Sequence, residues 1–329
     1  MNVIQRPDVQ NFCASMKDYI IDTDSTIAFA IEYKGRRILE EEYSPDAEFK
    51  VRIRNLGKFC RLALWGTWYS EGDQVQSNAA GTFTFYLNNT VDLSCFVIYS
   101  RMFTKMNAYS PACLSDVNKK VTRMGAREYI SILMNTGEKI NLLGINLLNV
   151  SNTKIIYTHT GEKAIVTLDV SPDKIKEQFP GIGSLRNYFV LTETHNFEFL
   201  LDQTQYLETR CFRFKNIYDM PETLTTVGQL ILKPNSEHEI ASMYDVDRKF
   251  DVKVTDEYTA NSGVIFLQSD YKLWHNLINA QEVDILIGNE WYPIIITKSN
   301  YERSFRKSVL KAVEFTFKMA NPEHNNLIE

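Results

Sequence analysis

The side chains that could do chemistry in this chain do not converge. Its five histidines, His159, His195, His238, His275 and His324, lie far apart, so no single element presents two imidazoles to one metal ion or proton relay. Asp245 and Asp247 would share one side of an extended segment and offer oxygen to a hard cation. A calcium or magnesium shell needs more oxygen ligands than this stretch supplies, and a solvated loop is the expected reading. Gly181-Ile182-Gly183 lacks the third glycine of a dinucleotide cradle and does not join a parallel strand to a helix. No G-x-S-x-G elbow accompanies the serines, and Cys113 stands in no nucleophile signature. Cys13, Cys60, Cys95, Cys113 and Cys211 are odd in number, widely spaced and without a C-x-x-C pair, which argues against both a zinc site and a disulfide framework. The sequence therefore predicts a non-enzymatic protein with no catalytic residue, no metal and no cofactor.

Binding through surfaces is the class that remains. Trp65 and Trp68, three apart in an expected strand, would point to opposite faces. One of them is then free for a partner or for a sugar ring, which stacks on flat aromatic faces. Trp274 and Trp291 fit the buried faces of a helix and a hairpin instead. Residues 102–127 lose periodicity and carry Lys105, Lys119, Lys120, Arg123 and Arg127 against Asp116 alone. Read as an arm, this segment would steer toward an acidic neighbour while Met102, Phe103, Met106 and Tyr109 anchor in an apolar groove. The alternative is an ordinary loop folded back on its own domain, with Lys119, Lys120 and Arg123 as a solvated face.

These surfaces must be carried by β-structure. Val313, Phe315, Phe317 and Met319 alternate with polar residues, the two-residue period of a half-buried strand. Two apolar runs, residues 283–287 and 291–296, flank Gly288-Asn289, a dipeptide suited to the positive φ angles of a hairpin turn. Leu273, Trp274, Leu277 and Ile278 recur at helical spacing behind Ser269 and Asp270, predicting a helix over residues 269–281. Residues 172–179 suit a second short helix, with Pro172 in its first turn. Further alternating runs, including residues 62–68 and 249–255, predict strands, and the stretches 221–226 and 234–239 predict polar loops.

With 329 residues there is room for two or three cores. The fold class is mostly β, with several β-sandwich-like modules and few short helices. The expected division is an N-terminal β-sandwich (1–105), a linker or arm (106–127), a second β-rich domain (128–205) and a C-terminal β module with one helix (206–329). A formal charge of −5 leaves no general attraction to nucleic acid. No apolar run is long enough to span a membrane, and no basic stretch followed by an apolar run opens the chain, so synthesis and folding in a reducing cytoplasm are expected.

The run FRFKNIYDMPETLTT (residues 212–226), the DRKF of residues 247–250, the Trp274 helix and the closing IIITKSNYERSFRKSVLKAVEFTF (residues 294–317) together resemble the C-terminal module of tail structural proteins of tailed bacteriophages and prophages, of the distal-tail or baseplate kind. The resemblance covers about the last third of the chain, and residues 1–205 carry no matching motif. It implies a virion protein of the tail tip, baseplate or an adjoining ring. Its partners would be other copies of itself and neighbouring tail proteins, and its role assembly rather than chemistry. Two rival expectations stand beside it: host-glycan binding by the N-terminal sandwich, and a tail-associated hydrolase, which would need a carboxylate pair or metal cluster not seen in the spacing.

Overall fold

The computed structural model describes residues 1–64, 74–101, 113–303, 311–324 and 328. Trp65, Trp68, Met102, Phe103, Met106 and Tyr109 lie outside the described residues, and so does the arm reading for residues 102–112. What is described is mostly β, in five sheets with three α-helices among the described residues.

The N-terminal sheet takes Gln10–Phe12, Thr90–Ile98, Ala80–Leu87, Ile27–Tyr33 and Arg36–Tyr43, in that order. Two of its turns, Lys34-Gly35 and Asn88-Asn89, hold both residues at positive φ, the geometry that lets a two-residue turn follow the strand twist. Its inner face joins a three-stranded sheet of Asn2–Gln5, Tyr19–Asp22 and Lys50–Ile53 through one apolar cluster. There the rings of Tyr19, Phe29 and Phe85 lie 5.5 to 6.2 Å apart. Residues 62–64 are the end of the helix Leu56–Leu64, not the start of a strand. Leu56, Cys60 and Leu64 recur every four residues and bury one stripe, a helical period that outweighs the local apolar run. Gly57 is required where this helix meets the chain, because a Cβ there would sit 1.8 Å from the carbonyl oxygen of Cys13.

A second five-stranded sheet, called here the middle sheet, runs Lys119–Thr122, Asn196–Leu201, Leu185–Leu191, Lys139–Asn146 and Ser151–Thr158. The C-terminal sheet has seven strands, Pro221–Thr226, Arg210–Lys215, Val283–Ile287, Glu290–Ser299, Glu314–Met319, Val246–Asn261 and Leu230–Met243. The hairpin across Gly288-Asn289, the terminal strand and the helix Asp270–Ile278 are all present. So is the short helix Pro172–Gln178.

Three further features differ from the sequence reading. Residues 221–226 are a strand paired to Arg210–Lys215, and Pro234–Glu239 lies within the long strand Leu230–Met243. Proline is tolerated in both because each strand is a sheet edge, where one side needs no ladder hydrogen bond. The third difference is the core. Buried residues of the middle sheet (Ile140, Tyr188, Phe199) and of the C-terminal sheet (Phe212, Phe315, Phe317) belong to one continuous cluster, so the boundary expected at 205/206 is not a break in the packing.

Trp274 sits in this cluster with its ring 6.4 Å from Phe315. Truncation to alanine would remove a large buried ring and leave a cavity, so Trp274→Ala is expected to destabilise the full chain by about 3–5 kcal/mol in a denaturant titration. A loss below about 1 kcal/mol would mean that the ring is not packed.

All five cysteines are free and buried. Burial pushes the thiols of Cys13 and Cys95 up to about 12 and that of Cys211 to about 11, and raises Cys60 and Cys113 as well. The thiolate is the reactive form, so the native chain is expected to resist thiol reagents at mildly alkaline pH. All five groups should label once the chain is unfolded without reductant. Fast labelling of the native chain, or fewer than five labels after unfolding, would contradict this.

Candidate interaction surface

Three of the five cations that the sequence assigns to an arm, Lys119, Lys120 and Arg123, are paired within the chain. Lys119–Thr122 is a strand of the middle sheet, paired in parallel with Asn196–Leu201. Alternation turns Lys120 inward, where it is 3% exposed. Its ammonium lies 2.5 Å from Glu128 Oε2 and donates to the carbonyl oxygen and the hydroxyl of Thr223. Thr223 Oγ1 in turn donates to Glu128 at 2.9 Å. Arg123 donates to the carbonyl of Thr225, pairs with Asp202 at 3.5 Å and lies over the ring of Tyr206. Lys119, partly exposed, pairs with Glu198 at 2.8 Å. Residues 113–127 are therefore a polar seam that ties the middle sheet to the C-terminal sheet, not a free arm or a solvated face. Asp116 joins it by accepting from Asn276 at 2.6 Å.

Two carboxyls of the same seam titrate far from their usual range. Burial is the largest cause in both, and it raises Glu222 to about 7 and Asp270 to about 7, with Lys120 pulling each the other way. Glu222 accepts from Ser115 and Asn216, whereas Asp270 Oδ1 has no partner. Free carboxyls titrate near 4, so between about pH 4 and 7 the folded chain binds more protons than the unfolded one. The stabilisation is full below that window and is lost as pH rises through about 7. The thermal midpoint is expected to rise when pH is lowered from 8 to 6, and to rise less in Glu222→Gln. A midpoint that falls over that interval would contradict the assignment.

The surface that stands out is the long hairpin. Leu230–Met243 and Val246–Asn261 pair from Leu230↔Ala260 out to Met243↔Val246. Tyr244 and Asp245 form the turn, both at positive φ. Asp245 and Asp247 thus sit at a solvated tip, and no group of metal-ligating residues occurs among the described residues. Only the base of the hairpin reaches the core, through Tyr258, Ala260 and Leu230. Beyond it Leu232, Ile240, Met243, Val246, Phe250, Val252 and Val254 are all exposed, and Tyr244 is 92% exposed. A lone two-stranded ribbon is marginal in water, and exposed apolar side chains along both strands mark a contact surface.

The residues of this ribbon are not displayed as the sequence suggests. Phe250, Val252 and Val254 alternate strictly and read as one face. The register shifts between Glu237 and Glu239, where Asp251 adopts a φ of 50°, so one extra residue is accommodated in the Val246–Asn261 strand. Val254 remains opposite Ser236, on the side of Leu232 and the buried Tyr258. Phe250 moves opposite Glu239 and joins Met243 and Val246 on the other side. Ile240 is the apolar exception on the first side.

A second unpartnered surface lies on the outer face of the middle sheet. Leu143 and Phe189 stand in one cross-strand row, Ile145, Leu200 and Val121 in the next, with Leu191 and Ile155 beside Asn141. All are half-buried or exposed, and none belongs to a buried cluster or packs on one. An antiparallel sheet with water on one face ordinarily alternates apolar with polar residues, so apolar residues on both faces point to a covering partner.

Other candidates are accounted for locally. His159 is buried at the rim of a cleft that it lines with Tyr33, Phe96 and Lys163, and its Nε2 donates to the carbonyl of Glu162 at 2.6 Å. Trp291 is half-buried beneath the Arg213 guanidinium, 4.6 Å from its ring, and that guanidinium also pairs with Asp284. No described helix is long and apolar enough to cross a membrane.

No family model matches the chain, and no curated protein sequence matches it. Among solved structures it is similar to a chain described as "Tail of empty GTA particle computed with helical refinement, C6 symmetry", at 12% identity, with a TM-score of 0.21, over 29% of this chain and 77% of that one.

Proposed function

We propose that this chain is a non-enzymatic structural protein of a bacteriophage or prophage tail, at the tail tip, the baseplate or an adjoining ring, and that it assembles through its long hairpin onto neighbouring subunits. The observation that carries this reading is the hairpin itself: a ribbon that leaves its own core after Leu230 and keeps large apolar side chains in water up to the tip. Such a surface is a liability in a free monomer and is useful only when covered. The tail context rests on the resemblance of residues 212–226 and 294–317 to tail structural proteins. The two carboxyls raised to about 7, Glu222 and Asp270, lie in a buried seam rather than in an open cleft, which suits structure better than catalysis. The test is location: antibody against the chain should decorate one end of the tail in purified particles of the source phage or induced prophage. Particles without the chain, or label confined to the capsid, would sink the proposal.

A further inference from the structure

Among the described residues, the exposed outer half of the hairpin and the half-buried apolar outer face of the middle sheet are complementary to each other. We infer that the outer half of the hairpin docks on the outer face of the middle sheet of a second copy of the chain. The inference rests on the assembly reading above and names the partner surface for it.

The bulge at Asp251 is the first argument. It places Met243, Val246 and Phe250 on the side of the ribbon opposite to the one that continues the chain's own core. A covering element on that side cannot simply extend the domain from which the ribbon emerges. The two surfaces also match in size. The ribbon from Glu237 to the tip is about 20 Å long at roughly 3.3 Å per residue, and the five strands of the middle sheet span about 20 Å at roughly 4.8 Å spacing. Apolar side chains lie on one side of the ribbon's outer half, Met243, Val246 and Phe250, and at the centre of the sheet, Leu143, Ile145 and Phe189.

Charge supplies the third argument and selects the partner. Residues 237–251 carry five carboxylates against two basic side chains, Arg248 and Lys249. The middle sheet answers with Lys139 and Arg186, both exposed, neither with a carboxylate at ion-pair distance among the described residues; Arg186 donates only to Asn149 and Asn187. Opposite charge around an apolar centre orients an encounter and disfavours wrong partners. Ribbon and receiving sheet are different surfaces, so the contact is head-to-tail, and repetition gives a ring or a stack.

The experiment uses the full-length chain. Val246→Cys and Leu143→Cys are made separately, mixed, and treated with a short thiol-specific cross-linker; the native cysteines are buried and stay silent. A covalent pair joining position 246 of one copy to position 143 of the other is expected. As a second measurement, Glu237→Lys with Glu239→Lys, on the same side of the ribbon as Phe250, should weaken self-association by about tenfold or more, and Lys139→Glu with Arg186→Glu should restore it in the combined variant. An assembly that forms but gives no such link and no charge-swap rescue overturns the docking alone. A chain that remains monomeric at every concentration, and does not enter particles, overturns the assembly reading with it.

Discussion

Replacing Lys120 with methionine should destabilise the chain by about 3–5 kcal/mol, the cost of leaving a buried partner charge uncompensated. Glu128 is as deeply buried as Lys120 and receives its charge-assisted contact from Lys120 Nζ, with Thr223 Oγ1 as the other donor. Methionine keeps the volume of the stem and removes the ammonium, so the loss is electrostatic rather than a cavity. The double variant Lys120→Met with Glu128→Leu removes both charges and should recover much of the stability, because a buried pair is often no better than apolar residues of similar volume. Urea titration of the parent chain, Lys120→Met, Glu128→Leu and the double variant would measure the coupling. If the single variant costs less than about 1 kcal/mol, or the double variant costs as much as both singles added, the seam is not the closed pair described. The same geometry implies that deleting residues 113–124 would unfold the chain rather than trim a loop.

The hairpin should behave in the opposite way. Replacing residues 233–256 with a two-residue turn removes no member of a buried cluster, since Leu230, Tyr258 and Ala260 stay in place. The thermal midpoint should therefore move by only a few degrees, the response expected for a change of about 1 kcal/mol or less in a chain of this size. Self-association and entry into particles should be lost altogether. Sedimentation of the variant beside the parent chain gives the first readout, and complementation of a particle lacking the chain gives the second. A variant that assembles normally would remove the hairpin from the mechanism. One that melts far below the parent would show that the ribbon belongs to the core.

Much of the architecture was legible because it rests on local chemistry. The Gly288-Asn289 and Asn88-Asn89 turns, the alternation of Val313 to Met319 and the Trp274 stripe each encode an element within a few residues. What escaped depends on contacts distant in sequence. Residues 113–127 show no period because their partners, Thr223, Thr225 and Asp202, lie about eighty to a hundred residues away, so five cations read as an arm when three of them are paired in the chain. Proline at 221 and 234 reads as loop unless the strand is known to be an edge, which is a property of the whole sheet. Phe250, Val252 and Val254 alternate without fault, and only the bulge at Asp251 divides them between faces. One signal of the second surface was present in Lys139–Asn146: Ile140 and Leu142 take one parity while Leu143 and Ile145 take the other, which is the pattern of a strand meant to be covered on both sides.

The most direct test of the central claim is hydrogen exchange of the hairpin amides, compared between the isolated chain and the assembled particle. In the isolated chain the ribbon beyond Leu230 should exchange quickly, since a two-stranded segment without a covering layer opens readily, while Phe315 and Phe317 in the terminal strand stay protected. In the particle, residues 237–251 should become protected to an extent comparable with the sheets. Equally fast exchange of those amides in both states would contradict the claim that this protein works by burying its hairpin in a neighbour.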